Sequence, residues 1–224
     1  MPYIFTNNDT FMKKQLATLC TLFSLSISML AATPDKVIND HKFVDLGLPS
    51  GLLWAETNVG ASTASESGDY YAWGEVSTKR DYSWTTYAFK NVKHYEGGVL
   101  KAQDDVATTK WGQGCRIPTQ ADFNELCKYC KWKWQETGTR GYLVTGTNGN
   151  SIFLPAAGQR DNDNDHDRQT AVNFGHNGSY WASTDCTDPS YNTHADYLTF
   201  GEGGVNVDHV VRYLGFPIRA VADK

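Results

Sequence analysis

Apolar residues in this chain come in short runs, and nearly every run is cut off by glycine, proline or a polar turn. Phe43-Val44-Asp45-Leu46 stops at Gly47 and Pro49. Leu52-Leu53-Trp54-Ala55 follows Ser50-Gly51, and Tyr70-Tyr71-Ala72-Trp73 ends at Gly74. Later come Tyr142-Leu143-Val144, Ile152-Phe153-Leu154, Tyr180-Trp181-Ala182, Tyr197-Leu198-Thr199-Phe200 and Val205-Asn206-Val207, again separated by Gly- and Asn-rich turns. Runs of this length, rich in aromatic and β-branched residues, read as strands of an antiparallel meander. The composition excludes a disordered tail protein, a collagen-like chain and a coiled coil. Gly215 to Val221 reads as a closing strand, with Pro217 placing it at an edge or a bulge. Residues 77–101 and 156–178 read as long loops.

One window carries a helical period. Phe123, Leu126, Cys127 and Cys130 fall on one stripe, and Pro118-Thr119-Gln120-Ala121-Asp122 before them has the form of a capped helix start. The spacing predicts a helix over 119–130 and a shorter one within 102–110. Trp132 and Trp134 then alternate with lysines, so they share one strand face, either as core or as a platform for sugar rings. No linker divides the rest, and residues 43–224 read as a single α+β domain behind a short linker, 33–42.

The first thirty-two residues read as a leader. Lys13-Lys14, an apolar run from Leu16 to Leu30, and Ala31-Ala32 make a secretory signal peptide, with Met12 a better start than Met1. The apolar run is too short for a membrane span. Cys20 follows the bulky Leu19, which disfavours a lipid anchor. The expected location is secreted, periplasmic or at the cell surface. The net charge of -5 leaves no basic surplus for phosphates and excludes nucleic acid as a partner.

Four of the five cysteines, 115, 127, 130 and 186, follow the leader. In an oxidising compartment they allow three pairings, and at least one disulfide is expected. Cys127 and Cys130 form a CxxC, but no second pair or His motif completes a zinc site. The acidic run Asp161-Asn162-Asp163-Asn164-Asp165-His166-Asp167 spaces Asp161, Asp163 and Asp165 as calcium ligands would be spaced. His166 stands where such a loop needs glycine and Val172 where it needs glutamate, so a solvated loop is the main reading and calcium the alternative. No cofactor is implied. Nucleophile-elbow, HExxH and phosphate-loop motifs are absent from the sequence. Glu56, Glu75, Asp122 and Glu202 are available to a hydrolase, but spacing does not pair them. The chain is read as a non-enzyme.

Longer strings carry more. Val44 to Ala55 (VDLGLPSGLLWA), Asn58 to Ala61, Gly68 to Glu75 (GDYYAWGE), Arg116 to Thr119, Asn148 to Gly158 (NGNSIFLPAAG), Tyr180 to Ser183 and Gly215 to Arg219 appear in this order across residues 43–221. Together they closely resemble the Fibrobacter succinogenes major paralogous domain. That family is found in secreted and surface proteins of gut and rumen bacteria. It is similar to the C-type-lectin-like fold in the version shared with formylglycine-generating enzymes.

The resemblance implies a stable scaffold that presents a variable surface between the Tyr-Trp-Ala-Ser segment and the final strand. Trp181, Tyr191, Asn192, Asn206, Asp208, His209, Arg212 and Tyr213 are the ligand-binding candidates it points to. The calcium-dependent sugar motifs of lectins with this fold are missing, and Cys186 alone cannot supply the cysteine pair of formylglycine-generating activity. The expected function is a secreted or cell-surface module binding a glycan or a protein; the alternative is a structural or assembly component of the cell surface.

Overall fold

In the computed structural model, which describes residues 36–161 and 171–224, all ladders between named strands are antiparallel. The first strands are β1 (Lys36–Ile38), β2 (His41–Asp45) and β3 (Leu53–Ala55). β1 and β2 are joined by Asn39 and Asp40 at φ of 49° and 66°, the two left-handed residues of a type I′ hairpin turn. Residues 36–42 therefore belong to the sheet. The linker expected over 33–42 is corrected there, and the Asn-Asp pair was its sequence signal.

Helix α1 (Val106–Trp111) leads to β4 (Cys115–Arg116), and α2 (Gln120–Tyr129) follows. Strands β5 (Lys131–Gln135), β6 (Gly141–Thr145) and β7 (Ser151–Pro155) make a three-stranded meander. Strands β8 (Asn177–Asp185), β9 (His194–Gly201) and β10 (Gly204–Val211) make another, and β11 (Val221–Ala222) closes the chain. The remaining sheet has the order β1-β2-β3-β11-β4, so the C-terminal strand lies inside it, between β3 and β4. The expected closing strand over 215–221 is thus shorter and central. Gly215 and Phe216 make only single bridges to Arg160 and Tyr71, and Pro217 stays outside any ladder. Tyr71 likewise makes one bridge where a full strand was expected.

The α2 start is built as the sequence implies. Thr119 accepts from the Asp122 amide and Asp122 accepts from the Thr119 amide, a reciprocal cap, and Arg116 Nη1 bonds Asp122 at 2.7 Å. Phe123 and Leu126 then enter a core with Trp54, Val144, Leu154, Tyr180 and Leu198. A second core gathers Phe43, Trp73, Trp111, Trp181 and Phe216. The β8–β10 sheet lies between them: adjacent Tyr180 and Trp181 point to opposite faces, one into each core. Trp132 and Trp134 meet the Tyr142 ring at 5.5 and 5.2 Å and pack half-buried against the α2 core.

Two arginines are fully buried. Arg219 donates to Asn58 Oδ1 and to the carbonyls of Ala55, Glu56 and Phe153, at 2.8–3.0 Å. Burial pulls its pKa down to about 10, with Tyr180 and Glu56 opposing, so it stays charged at neutral pH. Arg212 bonds the Asp185 carboxylate and the carbonyls of His194, Val92 and Lys93, and stands over the Trp73 ring at 5.0 Å. Each guanidinium replaces lost water with a full set of acceptors, the condition under which a buried charge is tolerated.

All four cysteines of the described residues are free thiols, which corrects the disulfide expectation. Cys127 and Cys130 pack against the α2 core and Cys115 lies in the other, while Cys186 is buried outside both. Burial pushes the Cys127 and Cys130 thiols up to about 11, which leaves them protonated and weakly nucleophilic at neutral pH.

Candidate functional site

The candidate surface expected between 184 and 214 is carried by the β9–β10 hairpin and the 3₁₀ turn Pro189–Tyr191 before it. The register sorts its residues. Asn206 lies opposite Thr199, and Asp208 opposite Tyr197. These four share one face of the ribbon. Asn206 and Asp208 are exposed there, while Thr199 and Tyr197 are half-buried. Tyr197 lies beside Trp181, its partner in the β8–β9 ladder, and packs on Phe216, with ring centroids at 6.3 and 5.3 Å, so this face runs into the core that holds both rings. Asp208 also accepts from the His209 amide at 2.8 Å, which covers one donor on the open edge of the sheet.

The other face differs. His209 lies opposite Asp196, in line with Val207 and Val205, which pack on the α2 core. Tyr191 reaches this side, with ring centroids 4.3 Å from His209 and 5.1 Å from His194, and the two histidines are 5.4 Å apart. Asp196 is 5% exposed. Burial pushes its carboxyl up to about 6; the His209 charge pulls it down, while Asp185 and Asp208 add to the rise. Burial also lowers the His194 pKa, helped by His209 and Arg212. His209 Nδ1 is enclosed and has no hydrogen-bond partner.

Of the eight candidates, then, the structure joins Asn206 with Asp208, and Tyr191 with His209. Asn192 sits half-buried at the end of the 3₁₀ turn. Tyr213 is half-buried elsewhere, edge-on to Trp84 at 6.3 Å. Trp181 and Arg212 are corrected as surface groups. Trp181 is 1% exposed, donates to the Tyr71 carbonyl at 2.9 Å and stacks on Phe216 at 4.3 Å. Its strand is packed on both faces, so the ring has no route to solvent. Arg212 turns inward because Asp185 and three carbonyls converge on it. Thr199 and Tyr197, which complete the exposed patch, were not expected. The strand period held the signal, because residues opposite 206 and 208 must share their side.

A second concave region lies away from the hairpin residues. Two clefts of 270 and 490 Å³ share Gly68, Asp69, Tyr70 and Arg160, so they form one continuous depression. Tyr70 forms its floor: its hydroxyl donates to the Ala157 carbonyl at 2.6 Å and its ring lies 5.1 Å below the Arg160 guanidinium. Sequence reading missed it because its walls come from loops.

For the acidic run, Asp161 accepts from Gln159 Nε2 at 3.2 Å, and Asp163 and Asp165 lie outside the described residues. Among the described residues no group of three or more His, Cys, Asp or Glu is arranged to hold a metal. Of the carboxylates considered for hydrolysis, Asp122 is bound in the helix cap and Glu75 is paired with Lys79 at 2.8 Å. Glu56 is paired with Lys42 at 3.2 Å, and Glu202 is exposed in the hairpin turn.

Comparison with models of known families, with curated proteins and with solved structures gives no match in any of the three. The class that the coordinates define is a domain of antiparallel sheets with few helices. No helix among the described residues is long and apolar enough to cross a membrane.

Proposed function

We propose that this chain is a non-catalytic recognition module, secreted or held at the cell surface, with the C-type-lectin-like fold of the Fibrobacter succinogenes major paralogous domain. The ordered sequence strings support the family, and the leader supports export. A C-terminal strand set between β3 and β4, near the N-terminal hairpin, and a capped helix straight after Arg-Ile-Pro-Thr are compatible with the fold. Its ligand surface is the exposed part of the β9–β10 hairpin face that carries Asn206 and Asp208, where that face extends past the core. The observation that carries this is the register: it sets Thr199, Asn206, Asp208 and Tyr197 side by side on one face of paired strands, with the Tyr197 ring packed on Phe216. A flat patch of mixed donors, acceptors and one aromatic ring suits a protein surface better than a small molecule, which needs a concavity. The test is saturable binding of the labelled protein to envelope proteins isolated from producing cells. Combined Thr199→Ala, Asn206→Ala and Asp208→Ala changes are expected to weaken it at least tenfold; unchanged binding rejects the hairpin as the surface.

One observation favours an assembly role as a second reading. β10 is an eight-residue strand at the open edge of its sheet, a place where another strand can add. Sedimentation velocity over a wide concentration range separates the readings: a dimer abolished by a proline at Val207 supports assembly, and a monomer throughout dismisses it.

A further inference from the structure

The continuous cleft around Asp69, Tyr70 and Arg160 has a lining of a particular kind. Phe174 stands on one wall with 54% of its surface exposed, unusual for a phenylalanine in a chain that buries most of its rings. The turn holds it out: Asn173 is left-handed at φ 59°, and the amides of His176 and Asn177 both bond the Asn173 carbonyl at 3.0 Å. No described side chain covers the Phe174 ring by an aromatic contact.

Asp69 lies in the middle of the depression. Its amide is pinned to the Val59 carbonyl at 2.9 Å, and Oδ2 accepts from the Tyr71 hydroxyl at 3.0 Å. Gly60 lies beneath it, at φ +83°; a Cβ there would come within 2.5 Å of Oδ2. Glycine is what lets the carboxylate lie flat in the cleft. At the far end Arg80 is exposed and makes no hydrogen bond or ion pair with any described residue, while Lys79 beside it is neutralised by Glu75 at 2.8 Å.

The chemistry selects among ligands. An anion would find Arg80 and Arg160 but also the Asp69 carboxylate between them, with Glu66 on the rim turned to the Ser62 amide at 2.7 Å. A wholly apolar molecule would strand those charges against it. A pyranose ring presents an apolar C–H face and hydroxyls that both donate and accept. An aromatic platform, an accepting carboxylate and a donating guanidinium match it group for group. The two volumes lie at or near the range of small-ligand sites, about 300–1,000 Å³.

We propose that this cleft binds a neutral saccharide, stacked on Phe174, with Asp69 accepting from and Arg80 donating to its hydroxyls. The site is separate from the hairpin patch and does not depend on the reading of that patch.

The test is calorimetric titration of the purified protein with cellohexaose, xylohexaose, mannohexaose and laminarihexaose, and with hexagalacturonate as the charged counterpart. At least one neutral oligosaccharide is expected to bind with a dissociation constant below millimolar. Phe174→Ala and Asp69→Asn should each weaken that binding tenfold or more, with unfolding midpoints near that of the parent. Gly60→Ala, which displaces Asp69, should weaken it as well. The Asn206→Ala, Asp208→Ala protein should bind the sugar as the parent does. Binding of none of the neutral sugars, preference for hexagalacturonate, or neutral-sugar binding untouched by Phe174→Ala and Asp69→Asn overturns the proposal. Loss of sugar binding in the hairpin variant alone moves the sugar to the hairpin and also overturns it.

Discussion

Asp208 lies within β10 and Arg212 directly after it, four residues on, and they belong to different regimes. Arg212 is fully buried and ties the hairpin base to Asp185 and to the loop carbonyls of Val92 and Lys93. Asp208 is exposed, and its one bond is to the amide of its own neighbour. Arg219, seven residues after Arg212, repeats the interior case with four acceptors and no carboxylate. The C-terminal part of the chain therefore separates holding from display. Arg212 fixes where the hairpin base stands and Arg219 ties the segment after it to the N-terminal strands and β7, while the exposed positions of Asn206 and Asp208 carry none of these bonds. A surface of that kind can vary in chemistry while the frame stays the same.

The comparison sharpens with stability measurements. The largest loss is expected for Arg219→Met, which orphans Asn58 Oδ1 and three carbonyls: roughly 3–5 kcal/mol in urea unfolding. Asp185→Asn comes next. It leaves the Arg212 charge buried without its carboxylate, at a cost of about 3 kcal/mol by the same measurement. Asp196 acts in the opposite sense. Its folded pKa is raised to about 6, so its contribution is complete below the unfolded value near 4 and is lost as pH rises through 6. Asp196→Asn should therefore stabilise the protein at pH 7.5 by about 2 kcal/mol, and the gain should vanish by pH 4. Thr119→Ala removes half of the reciprocal cap on α2 and should cost about 1 kcal/mol. Asn206→Ala with Asp208→Ala should change stability by less than about 0.5 kcal/mol. A large loss in that double variant would break the division between frame and display.

What the sequence disclosed follows the same division. Helix α2 and its cap are local, and Thr119, Asp122, Phe123 and Leu126 announce them within about two turns of each other. The hairpin centre was legible from the alternation of 197–200 and 205–207. Its ends were not, because His194, Asp196, Asp208 and His209 are polar residues in strand positions and a hydrophobic pattern omits them. The 77–101 segment shows no period, yet it delivers Tyr82 and Tyr87 to a core. Their hydroxyls donate to the carbonyls of Tyr70 and Trp73 at 2.5 and 2.8 Å, which lets ladder-free chain be buried. The burial of Arg212 is of this non-local kind too: its acceptors come from residues 92, 93, 185 and 194, and none is a sequence neighbour. The closing strand failed for a related reason. Residues 215–219 are buried by single bridges and by the Arg219 bonds, so they look like a strand in composition while only 221 and 222 pair.

The most direct test of the account joins binding and stability in one protein. The Asn206→Ala, Asp208→Ala variant is titrated onto envelope proteins from producing cells and unfolded in urea beside the parent. The separation of frame from display predicts binding weakened at least tenfold with an unchanged urea midpoint. Full binding in the variant, or a binding loss that tracks a lowered midpoint, would contradict it.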